Sequence, residues 1–473
     1  MVPFVGPSYN LRTQAADCQR TVNMCLKKIE SGAGKANFVL ESVPGLVERF
    51  ELAGAPAVRG FATVAGGRAF VVFGNAIAEV APDLSQLTGL ASLTTTSGPV
   101  SIAIGRDHIV VADGTSSPVY YDLSASAGFT IVSANMYPTS WVVYLGGRFV
   151  FGRDGTDQFF WTAQDDPTSL DALDFATAEA MPDGITRGIV YREELWLLGT
   201  ATAEVWRASQ SADAAFEKNS GVSISVGCAA PWSAQLLDNS LFWLGQDDNG
   251  GAVLYRVQGY SPQRVSTYAV EEKFQASSSV ASTRAFAYQL DGQAFYCMTC
   301  PGVDTTWCFE VQGNWHEMAE LVNGSYTPHR AVCHVYTNLR HLVGTDDGFV
   351  YELDKDVYTN DGDVICRERI SPHSAIPPDT AVFFPRARLI CSVGTVTDDS
   401  SPMVELSYSN DGGRTWHDTL PRSLGEIGET NKAIRWNRLG HIEPGQSRAW
   451  KVRCTDNVQF DIIDLKVDEV LGS

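Results

Sequence analysis

The sequence predicts an all-β protein, a β-propeller of about seven blades, with six to eight possible, followed by a C-terminal β-sandwich. Three observations predict it. Charged residues make up only 19% of the chain, while glycines number 42 and Trp, Tyr and Phe number 11, 16 and 22. That mixture suits strands joined by tight turns. Helical periodicity is scarce and short alternating strands occur throughout. One hairpin unit also recurs along the middle of the chain.

The unit is an aromatic-rich strand, a Gly-containing turn and a second strand ending in large residues. It reads Arg68-Ala69-Phe70-Val71-Val72-Phe73-Gly74 with Ala78-Glu79-Val80, then His108-Ile109-Val110-Val111-Ala112-Asp113-Gly114 with Val119-Tyr120-Tyr121. It returns as Arg148-Phe149-Val150-Phe151-Gly152 with Phe159-Phe160-Trp161, and as Leu195-Trp196-Leu197-Leu198-Gly199 with Glu204-Val205-Trp206. The fifth copy is Leu241-Phe242-Trp243-Leu244-Gly245 with Val253-Leu254-Tyr255, and the sixth runs from Ala294-Phe295-Tyr296-Cys297 through Gly302 to Trp307-Cys308-Phe309. The seventh is His341-Leu342-Val343-Gly344 with Phe349-Val350-Tyr351-Glu352-Leu353. The turn glycines lie 40, 38, 47, 46, 57 and 42 residues apart. Those spacings match one four-stranded propeller blade, with each copy as its central hairpin. A lone hairpin cannot cover both its faces, and a ring of blades supplies the cover and leaves only short edges. The competing arrangement is a series of unrelated hairpins in stacked sandwiches.

Three segments follow. Residues 1–55 do not fit the repeat. Pro3, Pro7, Pro44, Pro56 and the Gly-rich Ser31-Gly32-Ala33-Gly34 read as an extended arm that lends the ring a strand or contacts a neighbour. Residues 56–355 form the propeller. From 356 to 473 the texture changes: 380–398, 403–409, 432–442 and 448–467 read as longer strands, punctuated by turns such as Asn410-Asp411-Gly412-Gly413. This predicts a separate β-sandwich.

The chain of 473 residues is long enough for a large core. With 35 Lys+Arg against 55 Asp+Glu the formal charge is −20, which argues against a basic surface that grips nucleic-acid phosphates. No apolar run reaches the ~18 residues of a bilayer span, and Met1–Pro7 has no basic stretch typical of a secretory signal. No membrane anchor is expected. Ten cysteines in such a chain read as small reduced core residues. A metal site at Cys297, Cys300 and Cys308 stays open. It lacks a second close Cys/His pair, since Cys333 and His334 are adjacent strand residues pointing to opposite faces.

The search for chemistry returns little. Gly32-Ala33-Gly34-Lys35 lacks the Ser/Thr that would meet magnesium, because Ala36 stands there. His316-Glu317-Met318-Ala319-Glu320 lacks the second histidine of a zinc-protease helix. Asp354, Asp356, Asp361 and Asp363 could attract calcium but lack the EF-hand glycine, and a solvated loop is the plainer reading. There is no GxSxG elbow. Ser409-Asn410-Asp411-Gly412-Gly413-Arg414-Thr415-Trp416 matches the Ser-x-Asp-x-Gly-x-Thr-Trp box of sialidases and related propellers. In those families the box is a hairpin signature, in which Asp bonds its own turn and Trp packs beneath, and it does no catalysis. The sialidase arginine triad and nucleophilic tyrosine find no counterpart on an ordered motif.

Several landmarks together resemble the tail hub proteins of short-tailed bacteriophages, also called packaged-DNA stabilisation proteins or tail accessory factors. They are Val22-Asn23-Met24, Ser42-Val43-Pro44-Gly45-Leu46, Gly147-Arg148, Asp154-Gly155-Thr156-Asp157 with Phe159-Phe160-Trp161, Pro182-Asp183-Gly184-Ile185, Glu204-Val205-Trp206, Trp436-Asn437-Arg438-Leu439-Gly440 and Lys451-Val452-Arg453. Their order and spacing cover most of the chain, although each motif alone also marks ordinary turns. The cysteines at 297–308 are not part of the resemblance.

The resemblance implies a virion protein, assembled in the host cytoplasm, that forms a hexameric nozzle ring below the portal and adaptor. That ring continues the DNA channel, helps retain the packaged genome until ejection, and docks tail spikes or fibres and a central needle. It implies no enzyme activity, catalytic residue, cofactor or metal. Six copies would carry about −120 formal charges, and a negative lumen would let double-stranded DNA slide through without sequence-specific binding. The alternatives are a carbohydrate-binding propeller or, further off, a sialidase-like glycosidase. A shallow aromatic-lined pocket would favour the first, and carboxylates converging at catalytic separation in the propeller mouth the second.

Overall fold

The computed structural model describes residues 4–31, 34–125, 127–131, 133–178, 183–209, 214–246, 251–374 and 380–472. Pro3, Gly32, Ala33 and Pro182, singled out above, lie outside them. Among the described residues the strands of 45–354 form seven blades, each with four antiparallel strands in the ring. Every hairpin read from the sequence is the second and third strand of a blade. Blade 3, for example, is Val142–Leu145, Arg148–Gly152, Gln158–Trp161 and Phe175–Thr177. Blade 1 spans 58–92, blade 2 101–130, blade 4 185–218, blade 5 235–264 and blade 6 284–322.

The period of two explains why these runs are apolar throughout. In Phe149-Val150-Phe151 the two phenylalanines pack on Val110 and Ala112 of blade 2, while Val150 faces Leu195 and Leu197 of blade 4. Each pair of neighbouring blades encloses its own apolar cluster, and seven such clusters run round the ring. The seventh joins Leu342 and Val350 of blade 7 to Val58, Ala69 and Val71 of blade 1, which closes the circle.

Blade 7 borrows its outer strand. Ala331–Thr337, Arg340–Thr345 and Phe349–Asp354 are followed in the sheet by Gly45–Glu51, which lies ahead of blade 1 in the chain and runs antiparallel to Phe349–Asp354. A Cβ at Gly45 would lie 2.5 Å from the carbonyl oxygens of both Val357 and Thr359. Glycine is therefore what lets this strand start so close to the returning chain.

The sandwich takes strands from both ends of the chain. One sheet orders Cys18–Val22, Arg367–Ile370, Ala449–Cys454, Met403–Ser409 and His417–Asp418. The other orders Met24–Lys28, Phe38–Ser42, Ile462–Leu471, Val382–Cys391 and Ile434–Asn437. Met24, Leu26, Leu40, Phe384, Leu406, Trp436, Trp450, Val452 and Phe460 meet between them. The stretch 448–467 is two strands rather than one, because a turn near Asp456 and Val458 aims two carbonyl oxygens at the buried Arg367 guanidinium.

Candidate functional site

The propeller and the sandwich share a sheet. Val22 pairs in parallel with Glu317 of blade 6, while Arg20–Val22 pair with Glu368–Ile370 of the sandwich, so one ladder runs from ring to sandwich. The next residue, Asn23, turns the chain from the first sandwich sheet into the second with a left-handed φ of 54°. Asparagine tolerates that conformation better than a branched residue. Its Nδ2 donates to the carbonyls of Ala319 (2.8 Å) and Cys366 (2.9 Å), and its Oδ1 accepts from Ala319 N (2.8 Å). Its backbone N–H donates to Glu317 O and its own carbonyl accepts from Val43 N. One buried residue, through its side chain and its backbone, thus fastens blade 6, the sandwich and the strand leading to blade 7.

Two guanidinia tighten this joint. Arg20 bonds Glu317 through Nη2 at 2.6 Å, and the same buried carboxylate accepts from Ser8 Oγ (2.6 Å) and Thr305 Oγ1 (3.1 Å). Such a charge-assisted cluster holds its partners in one arrangement. Arg369, fully buried, donates through Nε to Phe4 O (2.7 Å) and through Nη1 to Pro7 O (2.7 Å) and Thr21 Oγ1 (2.9 Å); Nη2 reaches Gln19 Oε1 (3.2 Å). It pins the first residues onto the sandwich without a carboxylate.

The Ser409–Trp416 box lies against the same segment. Asp411 accepts from the N–H groups of Arg414 and Thr415 and from Thr415 Oγ1 (2.6 Å), which holds its carboxyl well below the usual range. Trp416 packs on Cys18, Ile370 and Ala449. The box is a turn supporting the joint.

The propeller axis opens at both ends. The wider end is a cavity of about 930 Å³ among Tyr191, Leu236, Tyr288, Tyr336, Leu339 and His341, with other residues of blades 4 to 7. Among the described residues its two carboxylates are both taken, Asp238 by Arg256 (2.8 Å) and Asp291 by Lys355 (3.1 Å), and they form no free acid–base pair. His334 Nε2 and His341 Nδ1 lie 3.0 Å apart, and burial pushes His334 down to about 3. The narrower end, about 180 Å³, is lined by Arg59, Arg187 and Arg284 with Trp232, Gln235 and Cys333. Arg59 donates to the carbonyls of Gly98, Gly74 and Thr95, and Arg284 is paired with Asp346. Arg187 stacks on Trp232, with its Cζ 4.5 Å from the ring centre. Its Nε and Nη1 are shut from solvent and meet no acceptor among the described residues. Burial, with no carboxylate to offset it, pushes Arg187 down to about 10.

The cysteines separate. Cys297 and Cys308 oppose one another on adjacent strands of blade 6 and share an apolar cluster with Cys25, whereas Cys300 sits in the next cluster beside Met298 and Trp307. Burial raises the thiols of Cys25 and Cys308. Among the described residues no three His, Cys, Asp or Glu side chains stand close enough to hold a metal. Of the four aspartates at 354–363, Asp354 accepts from Asp356 N (2.9 Å) and Asp363 pairs with Arg330 (2.8 Å). His316 and Glu317 lie on a strand, Asn314–Val322. Sequence reasoning passed over Arg187, Arg369 and the role of Asn23. A charged residue two positions from both Ile185 and Ile189, on the face that strict alternation would give them, was the available sign for Arg187.

A closed seven-bladed ring shares a sheet with a sandwich, and the charges at their joint, Arg20, Glu317 and Arg369, hold segments of the chain together. Residues 13–358 match the family model described as Bacteriophage P22 Gp10, beta-propeller, and residues 376–469 match Bacteriophage P22 Gp10, beta-sandwich. The chain belongs to the P22 Gp10 family of phage tail hub proteins. It is 22% identical over 240 residues to the tail hub protein gp10 of Salmonella phage P22, covering 49% of this chain and spanning 50% of that protein's length. Among solved structures it is similar to virginiamycin B lyase from Staphylococcus aureus, at 10% identity and a TM-score of 0.46, covering 65% of this chain and 98% of that one. It is also similar to the computationally designed Ika8 protein, at 12% identity and a TM-score of 0.39, covering 75% and 100%.

Proposed function

We propose that this chain is the structural subunit of a short phage tail. Six copies form a ring that extends the portal–adaptor DNA channel, helps retain the packaged genome, and docks spikes or fibres and a needle. The observation that carries this reading is the match of residues 13–358 and 376–469 to the two models of the P22 Gp10 family. The fold supports it. A ring closed by its own N-terminal strand and tied by a continuous sheet to the sandwich resists deformation without any chemistry. The acidic balance of −20 supports a passage that does not hold DNA. In this reading residues 1–55 are an arm whose strands complete both bodies, 56–355 the rest of the propeller and 356–473 the rest of the sandwich, and no residue serves as a catalyst, cofactor ligand or metal ligand.

The test is the mass of the purified chain, alone and with a portal–adaptor complex, by native mass spectrometry. Six copies on each portal–adaptor assembly are expected. A chain that never joins the assembly would overturn the reading. Carbohydrate binding is the second reading, and the observation favouring it is the exposed Tyr336 beside Leu236 and Leu339 at the wide end of the axis. Saturable binding to a glycan array, abolished by Tyr336→Ala, would establish it.

A further inference from the structure

The narrow end of the axis carries a charge arrangement that a structural role alone does not require. The chain as a whole is acidic, yet Arg59, Arg187 and Arg284 line this cavity and, among the described residues, no Asp or Glu does. The three guanidinia differ in how they are satisfied. Arg59, 4% exposed, spends its donors on three backbone carbonyls and on Thr95 Oγ1. Arg284 is held by Asp346, which stands outside the cavity lining. Arg187 has neither: two of its nitrogens are closed off from solvent and lack any acceptor among the described residues, and Trp232 covers its face.

A guanidinium left this way is costly, and an anion beside it would offset part of that cost. The other polar groups do not supply one. Gln235 Nε2 already donates to Ala285 O (2.8 Å), and His334 is neutral at ordinary pH. The space of about 180 Å³ equals about six waters, enough for a small oxyanion with part of its hydration but too little for a nucleotide.

We propose that the arginine-lined end of the propeller axis binds one small oxyanion, of the phosphate or carboxylate class, with Arg187 as its principal ligand and Arg284 at its rim. The planar fork of an arginine suits either class. The inference goes beyond the structural role above and does not depend on it, since the site lies within one chain.

Isothermal titration of the full chain in chloride buffer with inorganic phosphate, and separately with acetate, tests it. Saturable binding of one anion per chain is expected, at least tenfold weaker in Arg187→Met. The thermal midpoint should also rise in 10 mM phosphate above its value in sodium chloride of equal ionic strength. Binding of phosphate alone would mark a tetrahedral site and binding of acetate a carboxylate site, and either supports the proposal if it depends on Arg187. Should the methionine variant not fold, Arg187→Lys keeps the charge, loses the fork and is expected to bind more weakly. No saturable heat with either anion, or equal binding by wild type and variant, would overturn it.

Discussion

Arg369, fully buried at the joint, and Arg187, partly buried on the axis, are cations with no carboxylate within hydrogen-bond reach among the described residues, and the fold treats them in opposite ways. Arg369 meets carbonyls of Phe4 and Pro7, the Thr21 hydroxyl and the Gln19 amide, which together draw the first residues onto the sandwich. Arg187 rests on an indole with two donors unspent. The difference separates a charge that organises backbone from one the backbone leaves open. Burial opposes both, but only at the joint do hydrogen bonds return part of that cost.

The joint and the axis can be pulled apart experimentally. The largest effect is expected from removing residues 1–52. Blade 7 would lose its outer strand, and Phe349–Asp354 would become an open edge. The expected outcome is aggregation instead of a monodisperse species by light scattering, and a well-behaved truncated chain would show that the ring closes without its borrowed strand. Arg369→Ala comes next. It strands several carbonyls in the core and is expected to cost about 3–5 kcal/mol in urea unfolding.

Acid then tests the ring side of the comparison. Burial pushes His316 and His334 down to about 3 and His329 to about 4, all from an ordinary 6.5. The unfolded chain takes up these protons below about pH 6.5 while the folded chain stays neutral, so their contribution is complete above that pH and is lost as pH falls toward 4. With about 1.4 kcal/mol per proton per pH unit, unfolding free energy is expected to fall by up to about 4 kcal/mol per unit near pH 5. A flat profile between pH 7 and 5 would mean these rings are not buried.

Asn23→Ala is expected to cost about 2–4 kcal/mol, through the lost bonds to Ala319 and Cys366 and the left-handed backbone now asked of alanine. Arg187→Met is the smallest. In anion-free buffer it is expected to change stability by less than about 1 kcal/mol, in either direction, because no protein acceptor is abandoned. If it proved as damaging as Arg369→Ala, the contrast between the two sites would collapse.

What the sequence showed and hid follows from the same geometry. The central hairpins were legible because strands such as Leu195–Leu198 are buried on both faces, which writes an unbroken apolar run. Outer strands such as Ser261–Arg264, read as Ser-Pro-Gln-Arg, carry no such run because they lie at the rim with mostly exposed residues. Cys18–Val22 was hidden for another reason. Its partners in the joint, Glu317 and Glu368, lie about three hundred or more residues away. Local periodicity carries no record of so distant a neighbour. The aspartate box was readable because every bond that Asp411 accepts falls within four residues.

The pairing of Leu40 with Ile462 has a consequence for synthesis. The hairpin of Met24–Lys28 and Phe38–Ser42 meets its neighbour only when residue 462 has been translated, and Gly45–Glu51 waits for Phe349–Asp354. Emerging blades can collapse one after another on the ribosome, but neither the wheel nor its attached slab can lock until several hundred more residues have been added. A nascent chain stalled before that point would display an unsatisfied leading segment, which makes late translation the interval in which this protein most needs a chaperone.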